Sequence, residues 1–335
     1  MPILGFILRS TSVRNAFETY GPLLRIARKI LSPSTKLILS SEWENSPFIY
    51  TEISILPAFV LIGLPAQESE NPLLLSLAGH ELGHSVWKAN NIEFQYMTQV
   101  LDKIICEIST TFWDRYKEIY PHVKKETLRD LFARSTWMPA YQFAIRQIEE
   151  IFCDLIGLRI FAESYLYAIG YLLAPCVSGP RSYHYPNTKR RISHLEEGAR
   201  KFKVNIPHEF LNIFEDNEEP SESTTKLLVE LADVTSTSLV PKLIEAVEHI
   251  ADEKNIPERS NEEVEKFINS YFENLIPISN AKRISDILNA AWLCFHNERI
   301  WKKNPTIKAK DRSRLLNELV LKSIEVFEIE KRTSY

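Results

Sequence analysis

Residues 80–84 read His-Glu-Leu-Gly-His, and no other short stretch restricts the chain as much. Residues four apart share one face of an α-helix, so His80 and His84 can aim one imidazole nitrogen each at a common cation only if the stretch is helical. Glu81 then lies about 100° round the helix, on the flank of the imidazole pair. Leu75, Ala78, Leu82, Val86 and Ala89 recur at helical spacing, and Leu73, Leu77, His80 and His84 form a neighbouring stripe. A helix apolar on two faces is buried, which puts both imidazoles in a cleft or a core. Asn71-Pro72 reads as N-cap and first turn of this helix, and Asn90-Asn91 as its end.

Two histidines do not complete a catalytic zinc site, which takes three protein ligands and leaves the fourth position to water. A second polar stripe supplies the third. Gln147, Glu150, Asp154 and Gly157 follow at steps of three, four and three, among Ile148, Ile151, Phe152, Leu155, Ile156 and Leu158. Burying two carboxylates on one helix face costs several kcal/mol unless a cation or strong donors compensate. One Zn2+ per chain, held by His80, His84 and Glu150, supplies that compensation, with Asp154 accepting the outer N–H of a ligand histidine. Gly157 removes a side chain where the two helices meet. Glu149 is the competing ligand, but its i+4 partner is Cys153, a poor hydrogen-bond acceptor. The ordinary alternative is that Glu149 and Glu150 face solvent and pair with Arg146.

HExxH followed by ExxxD resembles the gluzincin metallopeptidases, the thermolysin-like clan, over about residues 36–200. The resemblance implies a zincin-like catalytic domain, zinc as cofactor, and a peptide or protein substrate. It implies His80, His84 and Glu150 as ligands, Glu81 as general base to a metal-activated water, and Asp154 in support of a ligand. It also implies that the strand at 58–62 holds extended substrate at a sheet edge. The segment Tyr185-Pro-Asn-Thr-Lys-Arg-Arg191-Ile192 is similar to the His-Pro-xxxx-Arg-Ile motif of the CAAX-processing and heat-shock membrane metalloproteases. Tyr185 stands at that motif's histidine, with His184 just before it, and the membrane spans of that family are lacking. A Tyr185 or His184 side chain near the metal could donate to an oxyanion, and Arg191 could anchor the loop or a substrate carboxylate.

The rest of the chain fixes the fold class as mainly α (α+β). Only nine glycines, with frequent leucine, isoleucine, glutamate and lysine, favour helices throughout. The exception is a small sheet ahead of the HExxH helix, with strands at 36–40, 48–52 and 58–62 bounded by prolines. Helices follow at 93–119, 125–135, 140–162 after Pro139, on to Leu173, and at 187–203. The acidic stretch 215–223 reads as a linker between a metallopeptidase domain (1–214) and a helical C-terminal module (224–335). In that module Ser260 opens a capping box, and Ser279 or Asn280 caps the next helix.

Composition narrows the partners. A formal charge of −4 excludes a nucleic-acid footprint, which would be basic. Met1 to Leu8 lacks the leading positive charge of a signal peptide, and Ile53 to Leu64 is too short to span a bilayer, so no membrane is expected. Cys106, Cys153, Cys176 and Cys294 stand far apart without a CxxC pair, as reduced thiols of a cytoplasmic protein. Against the peptidase stand two alternatives: a catalytically inactive, metal-stabilised scaffold, and a partner-binding helical protein. In either, the C-terminal helices would offer a surface to a regulatory partner.

Overall fold

The computed structural model describes residues 16–42, 47–50, 58–174 and 179–333. Helix α1 (Ala16–Ile30) leads into β1 (Lys36–Glu42), β2 (Phe48–Tyr50) and β3 (Phe59–Pro65). There follow α2 (Ala78–Ala89), α3 (Ile92–Ser109), α4 (Trp113–Ile119), α5 (Leu131–Phe161), α6 (Glu163–Leu173) and α7 (Thr188–Lys201). The chain closes with α8 (Ser223–Glu253), α9 (Asn261–Ser270), α10 (Ile284–His296), α11 (Arg299–Lys303) and α12 (Ala309–Thr333). The expected mainly helical chain with one small sheet is what the structure shows.

The sheet order is β1-β3-β2. β3 pairs in parallel with β1 from Lys36↔Phe59 to Glu42↔Pro65, and antiparallel with β2 from Phe48↔Gly63 to Tyr50↔Leu61. Parallel pairing demands a crossover, and β3 is buried as a central strand should be, with Leu61 and Ile62 fully inaccessible. The strand expected to offer a free edge to substrate is therefore flanked on both sides. The third expected strand, 48–52, runs past Tyr50 into residues outside those described.

The HExxH helix starts later than its sequence suggests. Pro72–Leu77 is a 3-10 turn, and α-helix begins at Ala78. The carbonyl of Leu73, which would accept from Leu77 in an α-helix, accepts instead from the Trp292 indole N–H at 3.1 Å. Asn71 makes no side-chain cap; its amide donates to Glu68 at 3.2 Å. Beyond this turn Ala78, Leu82 and Val86 are buried as expected, whereas Ala89 is exposed. The helix expected at 93–119 breaks after Ser109, where the Ser109 and Thr110 hydroxyls both donate to the Cys106 carbonyl and compete with the helical bond. Pro139 does not start a helix but lies within α5, which reaches back to Leu131. Trp137 Nε1, donating to the Leu128 carbonyl at 2.8 Å, pins those first turns.

Helix α5 is the axis of the molecule. α2, α3, α7 and α8 all pack against it, and the α5–α8 contact is the most extensive helix pair. The buried apolar side chains form one cluster from Leu23 to Phe327, continuous across the 215–223 stretch. That stretch is tied to the start of α7: Asp216 accepts from the Lys189 amide, and Asn187 caps α7 while accepting from the Asn217 amide. Ser260 caps α9 as expected, through the Glu263 amide, but Arg283 rather than Ser279 or Asn280 precedes α10. Cys153 and Cys294 are buried and Cys106 is exposed; Cys176 and the Met1–Leu8 start lie outside the described residues. No described helix is long and apolar enough to cross a membrane.

The α2–α5 contact is a backbone contact. A Cβ added at Gly83 would lie 2.6 Å from Cys153 Cα, and one at Gly79 2.9 Å from Gly157 Cα. Gly83→Val should force the helices apart and cost about 2–3 kcal/mol in urea unfolding. Gly170→Ala, whose Cβ would lie 3.5 Å from Ile213 Cδ1, should be neutral or stabilising by up to about 1 kcal/mol. Equal effects of the two would remove the special status of this contact.

Candidate metal centre

The close helix approach lays the His80/His84 face of α2 against Glu149, Glu150 and Asp154 of α5. His80 Nδ1 lies 2.8 Å from Asp154 Oδ1. Asp154 also accepts from Arg191 Nε at 2.6 Å, Arg191 Nη2 at 2.8 Å and the Tyr165 hydroxyl at 2.7 Å. Burial alone would raise the Asp154 pKa, but the Arg191 guanidinium and His80 hold it well below the usual carboxylate range. An ionised Asp154 only accepts, so Nδ1 carries a proton, and when the imidazole is neutral it is Nε2 that turns a lone pair inward.

His84 is held the same way from the neighbouring residue. Its Nδ1 lies 3.0 Å from Glu149 Oε1, while Glu149 Oε2 accepts from Arg146 at 2.9 Å. The two rings stand at 84° with centroids 5.1 Å apart. Their Nε2 atoms converge on Glu150, at 3.1 Å from His80 to Oε2 and 3.9 Å from His84 to Oε1. One ligand atom from each of His80, His84 and Glu150 lies within 4.8 Å of the others. Tetrahedral zinc with bonds near 2.1 Å spaces its ligands roughly 3.4 Å apart, so a small closure would suffice.

Two observations test whether these residues suit a cation. Glu150 Oε2 is buried with no well-formed hydrogen bond, its close polar neighbour being His80 Nε2 at 3.1 Å. Once His80 is neutral, oxygen and nitrogen face each other as lone pairs, a costly state that a cation relieves. Secondly, among the described residues the guanidiniums that face Glu81, Glu149, Glu150 and Asp154 are those of Arg146 and Arg191. With neutral imidazoles, four negative charges against two positive ones leave the charge that one divalent ion cancels. The residues fit zinc.

Glu81 is itself buried and opens, with His80, onto a cleft of about 290 Å³ that Tyr185, Arg191 and Leu172 also line. Burial raises its pKa above the ordinary carboxylate value, against the lowering influence of both imidazoles. Tyr185 packs under the Arg191 guanidinium, 4.6 Å from ring centre to Cζ, and burial with the nearby Glu150 charge pushes its hydroxyl up, so it stays protonated. His184 is exposed and is not among the cleft-lining residues. Of the two candidates for an oxyanion donor, Tyr185 is the one at the cleft. The carboxylate that Arg191 holds is Asp154.

Gln147 leaves the expected stripe: it donates to Asp233 at 2.8 Å and accepts from Ser236 at 2.7 Å, stitching α5 to α8. Two contributors escaped the sequence reading, Glu149 as support for His84 and Tyr165 as donor to Asp154. The Arg146–Glu149 spacing was visible but indistinguishable from a surface pair, and Tyr165 carried no signal. Comparison with protein-family models, curated proteins and solved structures gave no match to this chain.

Without metal, burial lowers the His80 pKa but the Asp154 and Glu150 carboxylates outweigh it and raise it to about 10. A cation must displace that proton, so zinc affinity should climb about tenfold per pH unit on the acid side of that value, releasing about one proton per ion at pH 7. Titration in buffers of differing ionisation enthalpy reads the release, and buffer-independent heats would exclude it. For the metal-free fold the sign reverses: the His80 contribution is fully present below pH 6.5 and fades as pH rises towards about 10.

Proposed function

We propose that the chain is a cytoplasmic zinc-dependent metallopeptidase that hydrolyses peptide bonds in a peptide or protein substrate. The observation that carries this reading is the convergence of two imidazole Nε2 atoms on the buried Glu150 carboxylate, with the Glu81 carboxylate beside them at an open cleft. His80, His84 and Glu150 would hold the ion, and Asp154 and Glu149 would fix both imidazole orientations from behind. Bound zinc would acidify a coordinated water and polarise the scissile carbonyl.

Glu81 performs the proton transfers. Its raised pKa brings it closer to neutrality, where one group can accept a proton from the attacking water and return it to the leaving nitrogen. Tyr185, protonated and at the cleft wall, donates toward the oxyanion. Arg191 keeps Asp154 ionised and thereby keeps His80 in the tautomer that presents Nε2. A metal kept only for stability would need neither a carboxylate at Glu81 nor access from a cleft, which favours the enzyme over the inactive scaffold. The C-terminal helices reinforce the site through the Gln147–Asp233 contact, and any regulatory partner would act on α5 by way of α8.

Purified protein should carry about one zinc per chain. Glu81→Gln should retain it by elemental analysis and lose about 10²–10⁴-fold in cleavage of a broad peptide library, read by mass spectrometry. Glu150→Gln should lose the metal itself. A Glu81→Gln variant as active as the wild type would sink the mechanism, and a metal-free wild type would sink the whole reading.

A further inference from the structure

Away from the metal centre, a second cavity of about 210 Å³ opens where α1, the end of α5, the start of α10 and α12 meet. Its apolar wall comes from Pro22, Ile26, Ile160, Ile256, Pro257 and Phe327. Five cations also line it: Arg25, Lys29, Lys282, Arg283 and Lys331. Such a concentration is unexpected in a chain of formal charge −4.

The cations divide into two groups. Arg25 donates to the fully buried Glu328, and Arg283 forms a two-pronged pair with Asp286 at 2.8 Å on each arm. These two serve the fold. Lys331 sits 5.4 Å from the Phe327 ring centre, and Lys29 and Lys282 are exposed. Among the described residues none of these three ammonium groups has a carboxylate at ion-pair distance. Ile284 and Ser285, the first turn of α10, line the same cavity, and no side chain caps that helix start. That helix start adds a partial positive charge to the cavity, offset in part by Asp286 in its first turn.

We propose that this cavity binds a single-chain amphiphile, seating a short apolar tail against Ile26, Ile160, Ile256 and Phe327 and a phosphate or carboxylate head between Lys29, Lys282, Lys331 and the start of α10. Charge complementarity selects the head: three unpaired ammonium groups and an uncapped helix end attract an anion and repel a cation. The apolar wall selects the tail, because a bare phosphate leaves that surface in contact with water. The assignment is independent of the metallopeptidase reading, since no residue of the metal centre takes part.

Calorimetric titration of the full chain with alkyl phosphates, below their critical micelle concentrations, tests it. Decyl phosphate should bind one molecule per chain, and affinity should rise about fourfold per methylene from hexyl upward until the cavity is filled. Decanol and inorganic phosphate should each bind at least tenfold more weakly. A Lys29→Glu/Lys282→Glu variant, with melting temperature and circular dichroism unchanged, should lose at least tenfold for decyl phosphate, and added salt should weaken the wild type. Decanoate and anionic vesicles separate the sources of the head group: monomer binding supports the cavity, whereas binding to vesicles alone overturns it. Wild-type affinity in the charge-reversed variant, decanol as tight as decyl phosphate, or no saturable monomer binding would each overturn it as well.

Discussion

The approach of α2 to α5 is the constraint from which the rest of the site follows. Glycine at 79 and 83 removes the side chains that would otherwise hold the two helices apart, and Gly157 and Cys153 meet them from the other side. At ordinary helix spacing, imidazoles on one helix and short carboxylates on the other would be bridged by water. At backbone contact they touch directly, with His80 Nδ1 2.8 Å from Asp154 and His84 Nδ1 3.0 Å from Glu149. The apolar residues around them exclude water and strengthen each charge interaction. That arrangement would be unfavourable as a purely apolar packing solution, because it confines four carboxylates to one interface.

Asp154 shows how the cost is met. It is almost inaccessible, yet accepts from Arg191 twice, from Tyr165 and from His80. Each donor belongs to a different element: α7, α6 and α2 converge on one carboxylate of α5. A buried ion pair stripped of one partner costs several kcal/mol more than it contributes when intact. The fold and the orientation of His80 therefore depend on the same bonds. The outer shell is as much a tertiary device as the apolar core.

Much of this was legible in the residues. Helical spacing alone paired His80 with His84 and set Glu150 and Asp154 on one stripe, because both relations are local to a single helix. Gly157 was read as a close approach for the same reason. What escaped depends on contacts between distant segments. Tyr165 reaches Asp154 only because the chain reverses at Ala162, where φ is 54°, and nothing at 165 advertises that. Glu149 beside Arg146 looks like any exposed i,i+3 pair until α2 is laid over it. The late start of α2 was set by Trp292, more than 200 residues away in sequence, taking the Leu73 carbonyl. Strand existence was likewise visible in residues 36–65, but strand order was not. Apolar alternation does not say which neighbour takes which edge, and β3 proved central.

The two imidazoles are supported unequally, and the difference has a direction. Behind His80, Asp154 is 2% exposed and Arg191 12%, so that pair acts in a low dielectric and resists screening. Behind His84, Glu149 is anchored by Arg146, whose side chain is 61% exposed, and an exposed i,i+3 ion pair is worth only about 0.2–1 kcal/mol. His84 also stands farther from Glu150, at 3.9 Å against 3.1 Å for His80. His80 and Glu150 thus form the rigid half of the candidate centre and His84 its yielding half. Turning the His84 imidazole away would leave Glu149 paired with Arg146, whereas turning His80 away would take a donor from the more deeply buried Asp154. Glu81, one residue from His80 on α2, lies on the rigid side of the candidate centre, next to the more strongly held of the two histidines.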